Sequence, residues 1–322
     1  MRETRSITIT IATLLSLVLA LAGAVTVAVR WSGADDRNAA GSRPEDGRPS
    51  VDLADSVSAY TSRFTPDHGF RAPSATERRT LAEGVGLLLD GRRDQAVRRL
   101  AQVDFAVRTV IDSGSGRRFA EVYDQAEQAR APRGWGRVYV GLGHRPRWSV
   151  QVPHPVADRA TEQLGVRVLR SAPGGILIVA GAHRKAARGD AADVAHRRDT
   201  VFHAVCAELA RRGIPGVQLH GFAAGSAPGY DVVASTGAGR SGRADGRRLA
   251  DALRKRNVEV CRGWVRTCPL EGRENVQGRA AAAEDVPFLH IEFAPSVRGD
   301  DRLAAEAVAA IRTVTSRWAA AT

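Results

Sequence analysis

Four segments of this 322-residue chain close an apolar run with residues able to bind a metal or move a proton. WSVQVPHPVAD places His154 after the run and Asp158 one helical turn further on. GILIVAGAHR ends on His183 and Arg184, and the loop that follows carries Asp193 and His196 in ADVAH. GVQLHGF ends on His220, and PFLHIEF carries His290 and Glu292 ahead of Arg298. A zinc ion that hydrolyses a bond needs about three nitrogen or oxygen ligands and one position left for water. His154, Asp158 and His220 meet that count. A carboxylate must also take the water's proton, and Glu292, set among apolar neighbours, suits that role. The planar fork of arginine pairs bidentately with carboxylates, so Arg184 and Arg298 are placed to hold an acidic substrate or a developing oxyanion. Asp193 and His196 are placed to orient a ligand from outside, or to enter the ligand sphere directly. Asn275, with Gln277 and Gly278 in GRENVQGR, is expected in a substrate loop above the last run.

These side chains meet only if the runs before them are strands of one sheet. The runs are Trp148–Val152, Gly175–Ala180, Gly216–Leu219, Asp231–Ala234, Asn257–Cys261 and Pro287–Phe293, with helical patterns at about 156–170, 199–212, 245–256 and 302–318. Such alternation predicts an α/β domain over 134–322, a mostly parallel, mixed sheet with helices on both faces. Ligands bind outside the carboxyl ends of such strands, where all four segments end. Pro155 reads as the start of the next helix, with Asp158 on its first turn. Ahead lies a small α+β lead-in at 51–133. Ser74 and Glu77 form a capping box there, Asp90-Gly91 separates two helices, and Phe105–Ile111 and Phe119–Tyr123 form a hairpin around DSGSG. No catalytic pattern occurs in it.

The first thirty residues are read apart from the fold. Arg2 and Arg5 precede an uncharged stretch from Ile7 to Val29, long enough to span a bilayer and also bearing small-residue sites that suit signal-peptidase cleavage. Either a single membrane anchor or a signal peptide exports the rest, to the cell surface or as a secreted protein. A Gly/Pro-rich polar linker follows at 31–50. In an oxidising compartment Cys261 and Cys268 are spaced to bridge, whereas Cys206 reads as a buried helical thiol.

A formal net charge of +12 fits an anionic partner, such as a small or polymeric acidic amide, though only two of the 47 basic residues are lysine, a skew that points to genome composition. Nucleic acid is not expected: the arginines are scattered, aromatics are 5%, and no helix-turn-helix or finger spacing occurs. The 43% hydrophobic content excludes a wholly disordered chain.

The motifs also resemble a known family. HPVAD with RATEQLG is similar to the metal-binding segment of zinc-dependent poly-gamma-glutamate hydrolases, where a His, a short glycine-rich gap and a Glu precede a Thr and an acidic residue. DVAHRRDTVFHAV resembles their next motif, VQLHGF their second metal histidine, and HIEFAPSVR their terminal strand motif. The resemblance extends to N-formylglutamate amidohydrolases and, more distantly, zinc carboxypeptidases, and covers about residues 145–300. It implies a zinc-peptidase-like fold, Zn2+ held by His154, Asp158 and His220, Glu292 as base, and hydrolysis of γ-glutamyl or N-acyl amino-acid amides. This chain departs from the pattern in carrying Asp158 where the family has Glu, after a shorter gap, so Glu162 or Asp193 are alternatives for the third ligand. His290 stands where an apolar residue or glutamine is usual.

Two other readings compete. One is a catalytically silent binding module that keeps the fold and holds an anionic cell-surface polymer. The other is a dinucleotide site: Gly237, Gly239 and Gly242 match G-x-G-x-x-G after YDVVAS, and Glu259 would be the ribose-binding acid at the end of the next strand.

Overall fold

The computed structural model describes residues 50–127 and 132–321. The expected membrane segment at 1–30 and all but the last residue of the 31–50 linker lie outside these residues. No described helix is long and apolar enough to cross a membrane.

Along the chain the elements are β1 (Ser50–Val51), α1 (Leu53–Thr61), α2 (Ala75–Leu89), α3 (Arg93–Ala101), β2 (Phe105–Asp112), β3 (Arg118–Asp124), β4 (Arg137–Gly141), β5 (Trp148–Val152), α4 (Thr161–Ser171), β6 (Gly175–Val179), α5 (Val201–Arg211), β7 (Gly216–Gly221), β8 (Val232–Ser235), α6 (Arg243–Arg254), β9 (Val260–Arg262), α7 (Val276–Ala283), β10 (Phe288–Phe293), α8 (Pro295–Gly299) and α9 (Asp301–Ala320). The described strands form one sheet in the order β1-β2-β3-β4-β6-β5-β7-β10-β8-β9. Its centre, β6-β5-β7-β10, is parallel throughout, and β4 and β8 flank it antiparallel. This is the mixed, mostly parallel α/β sheet expected from the alternation of runs and helices. The lead-in strands β1, β2 and β3 continue the same sheet through β4.

Local signals account for most boundaries. Ser74 Oγ accepts the Glu77 N–H at 3.2 Å, and the Glu77 carboxylate accepts the Ser74 N–H at 2.7 Å, so the capping box starts α2 as the sequence predicts. Thr200 caps α5 and Asp300 caps α9 by the same chemistry. The Asp112 carboxylate, wholly buried, accepts two hydrogen bonds from Arg170 of α4, which ties the β2–β3 hairpin to the main domain.

The period of two along each central strand divides the sheet into unlike faces. On one face Val150, Val152, Leu177, Val179, Val217, Leu219, Leu289 and Ile291 form an apolar core with α4, α6 and α9. On the other, Ile176 and Ile178 of β6 pack against α2 and α5. That second face changes character on crossing to β5, β7 and β10. Register places Gln151 beside Gln218, Gln218 beside His290, and His220 beside Glu292. Each of these polar side chains is buried.

The structure corrects several expectations. The predicted helix at about 156–170 begins only at Thr161, so Asp158 lies in an irregular loop rather than on a first helical turn. Val156, Arg159 and Ala160 all take positive φ in that loop, at 67°, 27° and 65°. Such backbone is costly for residues with a Cβ, and it is held here by the tertiary contacts described below. Ala160, the N-cap of α4, makes no side-chain cap. Ala160→Gly is therefore expected to raise the unfolding free energy by about 0.5–1 kcal/mol, read by denaturant titration; an unchanged or lower midpoint would show that the loop is not strained.

The dinucleotide reading loses its acid. Gly242, where a Cβ would stand 2.6 Å from the Phe288 carbonyl, packs against β10. Glu259 precedes β9 at its amino end, opposite to where a ribose-binding acid belongs. Asn275, Gln277 and Gly278, expected in a substrate loop, are the cap and first turn of α7.

Candidate metal centre

The parallel strands β5 and β7 bring His154 and His220 to the same edge of the sheet, and β10 brings Glu292 beside His220. Asp158 returns to this edge because the loop after His154 curls back on itself. Its Oδ2 lies 3.2 Å from His154 Nδ1, 3.2 Å from His220 Nδ1 and 3.2 Å from the Gly221 N–H, which donates to it. All three side chains are buried, with His154 only 1% exposed.

The outward nitrogens are engaged too. His154 Nε2 is 2.8 Å from Asp193 Oδ1, and His220 Nε2 is 2.7 Å from Gln218 Oε1. Each imidazole thus meets an oxygen acceptor on its outer side and turns Nδ1 towards the Asp158 oxygen. A carboxylate oxygen and the lone pair of a neutral imidazole repel unless a proton or a cation stands between them. Ligand atoms in a tetrahedral zinc site lie about 3.3 Å apart, since each is about 2.0–2.1 Å from the metal. The donor set and its spacing therefore fit one divalent cation held by His154, Asp158 and His220.

Burial disfavours the charged form of His154, but its bonds to Asp158 and Asp193 outweigh this and hold its pKa above the ordinary histidine value. His220 goes the other way: burial, only partly offset by Asp158, brings it down to about 4, so it is neutral at physiological pH. The Asp158 carboxyl pays for burial, yet the two histidines keep it well below the usual carboxylate range. Asp193 is likewise depressed: His154 and His196 outweigh its burial.

Glu292 is placed differently. Among the described residues nothing donates a hydrogen bond to its carboxylate, and its closest cationic or imidazole neighbour is His290 Nε2 at 4.0 Å. Burial first, and then the charge of Asp158, push it up to about 8. It shares with His220 and His290 a group whose ligand atoms lie within 4.8 Å of one another. The His290 ring stacks on His220 with centroids 4.5 Å apart, and its other face lies against Gly272, where any Cβ would meet the ring.

The remaining expected residues divide into those at the centre and those that support it. Arg184 reaches in: it pairs with Asp193, and its Nη1 stands 3.5 Å from His154 Nδ1. His196 Nδ1 lies 3.1 Å from Asp193 Oδ1 at the exposed rim. Glu162 is turned aside and accepts the Val156 N–H, which leaves Asp158 as the carboxylate between the histidines. Arg298 is not free to grip a carboxylate. Its donors go to four backbone carbonyls, those of Phe293 at 3.1 Å, Asp158 at 2.9 Å, Arg159 at 2.8 Å and Phe222 at 2.8 Å. Asn275, 2% exposed, caps α7 through Oδ1 and donates from Nδ2 to Gln218.

Sequence reasoning missed the amides Gln151 and Gln218 and the role of Gln277. A signal was present. WSVQV, GVQLH and FLHIE alternate polar and apolar residues, and strands buried on both faces would read as continuous apolar runs.

No protein-family model matches the chain, and no curated protein matches it. Among solved structures, the chain is similar to N-formylglutamate amidohydrolase from Ralstonia eutropha JMP134, at 15% identity and a TM-score of 0.41 over 58% of this chain and 97% of that one. It is similar to a bacteriophage poly-gamma-glutamate hydrolase at 12% identity and a TM-score of 0.37, over 60% of this chain and 94% of that one. It is also similar to succinylglutamate desuccinylase from Chromobacterium violaceum at 16% identity and a TM-score of 0.40, over 67% and 74% of the two chains. The first two bear the names of families that the sequence motifs resemble.

Proposed function

We propose that the chain is an exported, zinc-dependent amide hydrolase acting on amides that carry a carboxylate near the scissile bond, of γ-glutamyl or N-acyl amino-acid type. The observation that carries the reading is the convergence of His154 Nδ1 and His220 Nδ1 on Asp158 Oδ2, beside a buried carboxylate without a donor of its own. A divalent cation held there supplies Lewis acidity for hydrolysis. Glu292 is the proton acceptor: a carboxylate whose pKa lies near the working pH serves as base and then as acid to the leaving amine. Arg184 is the cation at the cleft available to a substrate carboxylate, and its pairing with Asp193 fixes where the guanidinium sits. His196 at the rim and Asp193 behind His154 orient rather than react.

Two features support export. Residues 7–29 are uncharged and follow Arg2 and Arg5, and Cys261 and Cys268 form a disulfide, a bond that persists in oxidising compartments. Whether the N-terminal segment anchors the chain or is removed, the catalytic part lies outside the cytoplasm in this reading.

The test is metal dependence of turnover. On a panel of γ-glutamyl and N-acyl amides, stripping divalent metals with a chelator is expected to lower the rate by about a hundredfold or more, and added zinc to restore it. Full activity after verified metal removal would overturn the proposal.

A further inference from the structure

We propose that Gln218 is a positioning residue that sets the tautomer of His220, holding the ring with its proton on Nε2 and its lone pair on Nδ1, and that a buried chain of carboxamides sets Gln218 in turn. Gln218 and His220 sit two apart on β7, so both side chains leave the same face, and Gln218 is wholly buried.

A carboxamide can be turned either way, so the direction of its hydrogen bonds needs an anchor that cannot reverse. Three such anchors are present, each a backbone group. The Val194 carbonyl can only accept. Gln277 Nε2 donates to it at 2.8 Å, which leaves Gln277 Oε1 to accept from Gln218 Nε2 at 3.3 Å. The Pro215 carbonyl can only accept as well. Ser149 Oγ donates to it at 3.3 Å and accepts from Gln151 Nε2 at 3.2 Å, so Gln151 Oε1 accepts from Gln218 Nε2 at 3.1 Å. The Gly278 N–H can only donate. Asn275 Oδ1 accepts it at 2.9 Å, so Asn275 Nδ2 donates to Gln218 Oε1.

All three chains give one answer. The nitrogen of Gln218 faces the two glutamines, and its oxygen faces Asn275 and His220. A hydrogen bond from His220 Nε2 at 2.7 Å to that oxygen then requires the proton on Nε2. The lone pair of Nδ1 is left facing Asp158, where the metal reading needs it. The same network joins the two histidines, because Val194, its terminal acceptor, adjoins Asp193, the acceptor for His154. Sequence distance hides this link: Gln277 lies between the two segments in space and far from both along the chain.

The value of the tautomer for metal binding rests on the hydrolase proposal, but the tautomer itself does not. The test uses the full chain, labelled with 15N at histidine and kept free of metal. The wild type is expected to show a protonated Nε2 and an unprotonated Nδ1 for His220. Gln218→Leu is expected to lose this preference and to bind zinc about 10–100-fold more weakly. Gln277→Met, which removes one of the two acceptors of Gln218 Nε2 and leaves Gln151 in place, is expected to shift the tautomer populations in the same direction by less, and it serves if the fully buried leucine variant does not fold. A wild-type His220 protonated on Nδ1, or the same ring signature in wild type and the variants, would overturn the proposal. The expected tautomer in a wild type that takes up no zinc would instead overturn the metal reading and leave the Gln218 assignment standing.

Discussion

Glu292→Gln is expected to lower amide hydrolysis by about 10²–10⁴-fold while leaving the metal bound, because a carboxamide keeps the shape and cannot accept the proton. Glu292 stands beside the proposed ligands, with its oxygen within 4.8 Å of a His220 ring nitrogen, yet no donor among the described residues stabilises its charge. The substitution carries a second signature that a bystander would lack. In the metal-free protein the folded pKa is raised to about 8 from an ordinary carboxyl value. A raised carboxyl contributes stability that is present below the unfolded pKa and lost as pH rises through the folded one. Glutamine does not titrate. Metal-free Glu292→Gln should therefore gain on the wild type between about pH 4 and pH 9, by about 4–5 kcal/mol, read by denaturant titration at the two pH values. Unchanged turnover would remove Glu292 as base, and a pH-independent stability difference would show that its charge is not desolvated.

Arg298→Met is expected to destabilise the fold by about 3–4 kcal/mol and to weaken metal binding with it. The guanidinium closes three segments on one another, the end of β10 at Phe293, the chain after β7 at Phe222, and the strained loop at Asp158 and Arg159. Methionine fills part of the volume and leaves the carbonyls of Asp158, Arg159 and Phe222 without the guanidinium donor, while Phe293 keeps the Phe222 N–H. Arg298→Lys should recover little, since a compact ammonium on a flexible stem cannot span the same fork of acceptors. The close fit extends to Gly221, where a Cβ would stand 2.5 Å from Arg298 Nε and 2.8 Å from the Asp158 carbonyl. Thermal unfolding and zinc titration of the two variants check this. A stable Arg298→Met protein with wild-type zinc affinity would show that these hydrogen bonds do not hold the loop in place.

The sheet and the ends of its strands were legible because the central runs are short, apolar and bounded by glycine or proline. Trp148–Val152 is found with the boundaries its run predicts, and helices from 199, 245 and 302 onward form within two residues of their predicted starts. Strand β4 was not foreseen, since RVYVG lies among glycine, proline and arginine residues that read as loop. Residues 156–160 read as helix and form a loop for the opposite reason. Pro155 and the apolar residues after it have a helical pattern, but Asp158 is drawn back between two histidines and Arg298 holds its carbonyl, so tertiary contacts override local preference. His154, His220 and Glu292 were recognisable as strand-end residues. That Arg298 reaches the carbonyls of Asp158, Arg159 and Phe222, and that Asn275 donates to Gln218, depends on partners more than 50 residues away in sequence, which no local pattern records.

The most direct measurement is the metal content of the purified chain from Ser50 onward, by elemental mass spectrometry, beside a His154→Ala, His220→Ala variant. About one zinc per chain in the wild type and none in the folded variant is the predicted result. A wild type without metal after growth and purification with zinc, or equal metal in both proteins, would contradict a centre at His154, Asp158 and His220 and would favour a binding module on the same sheet.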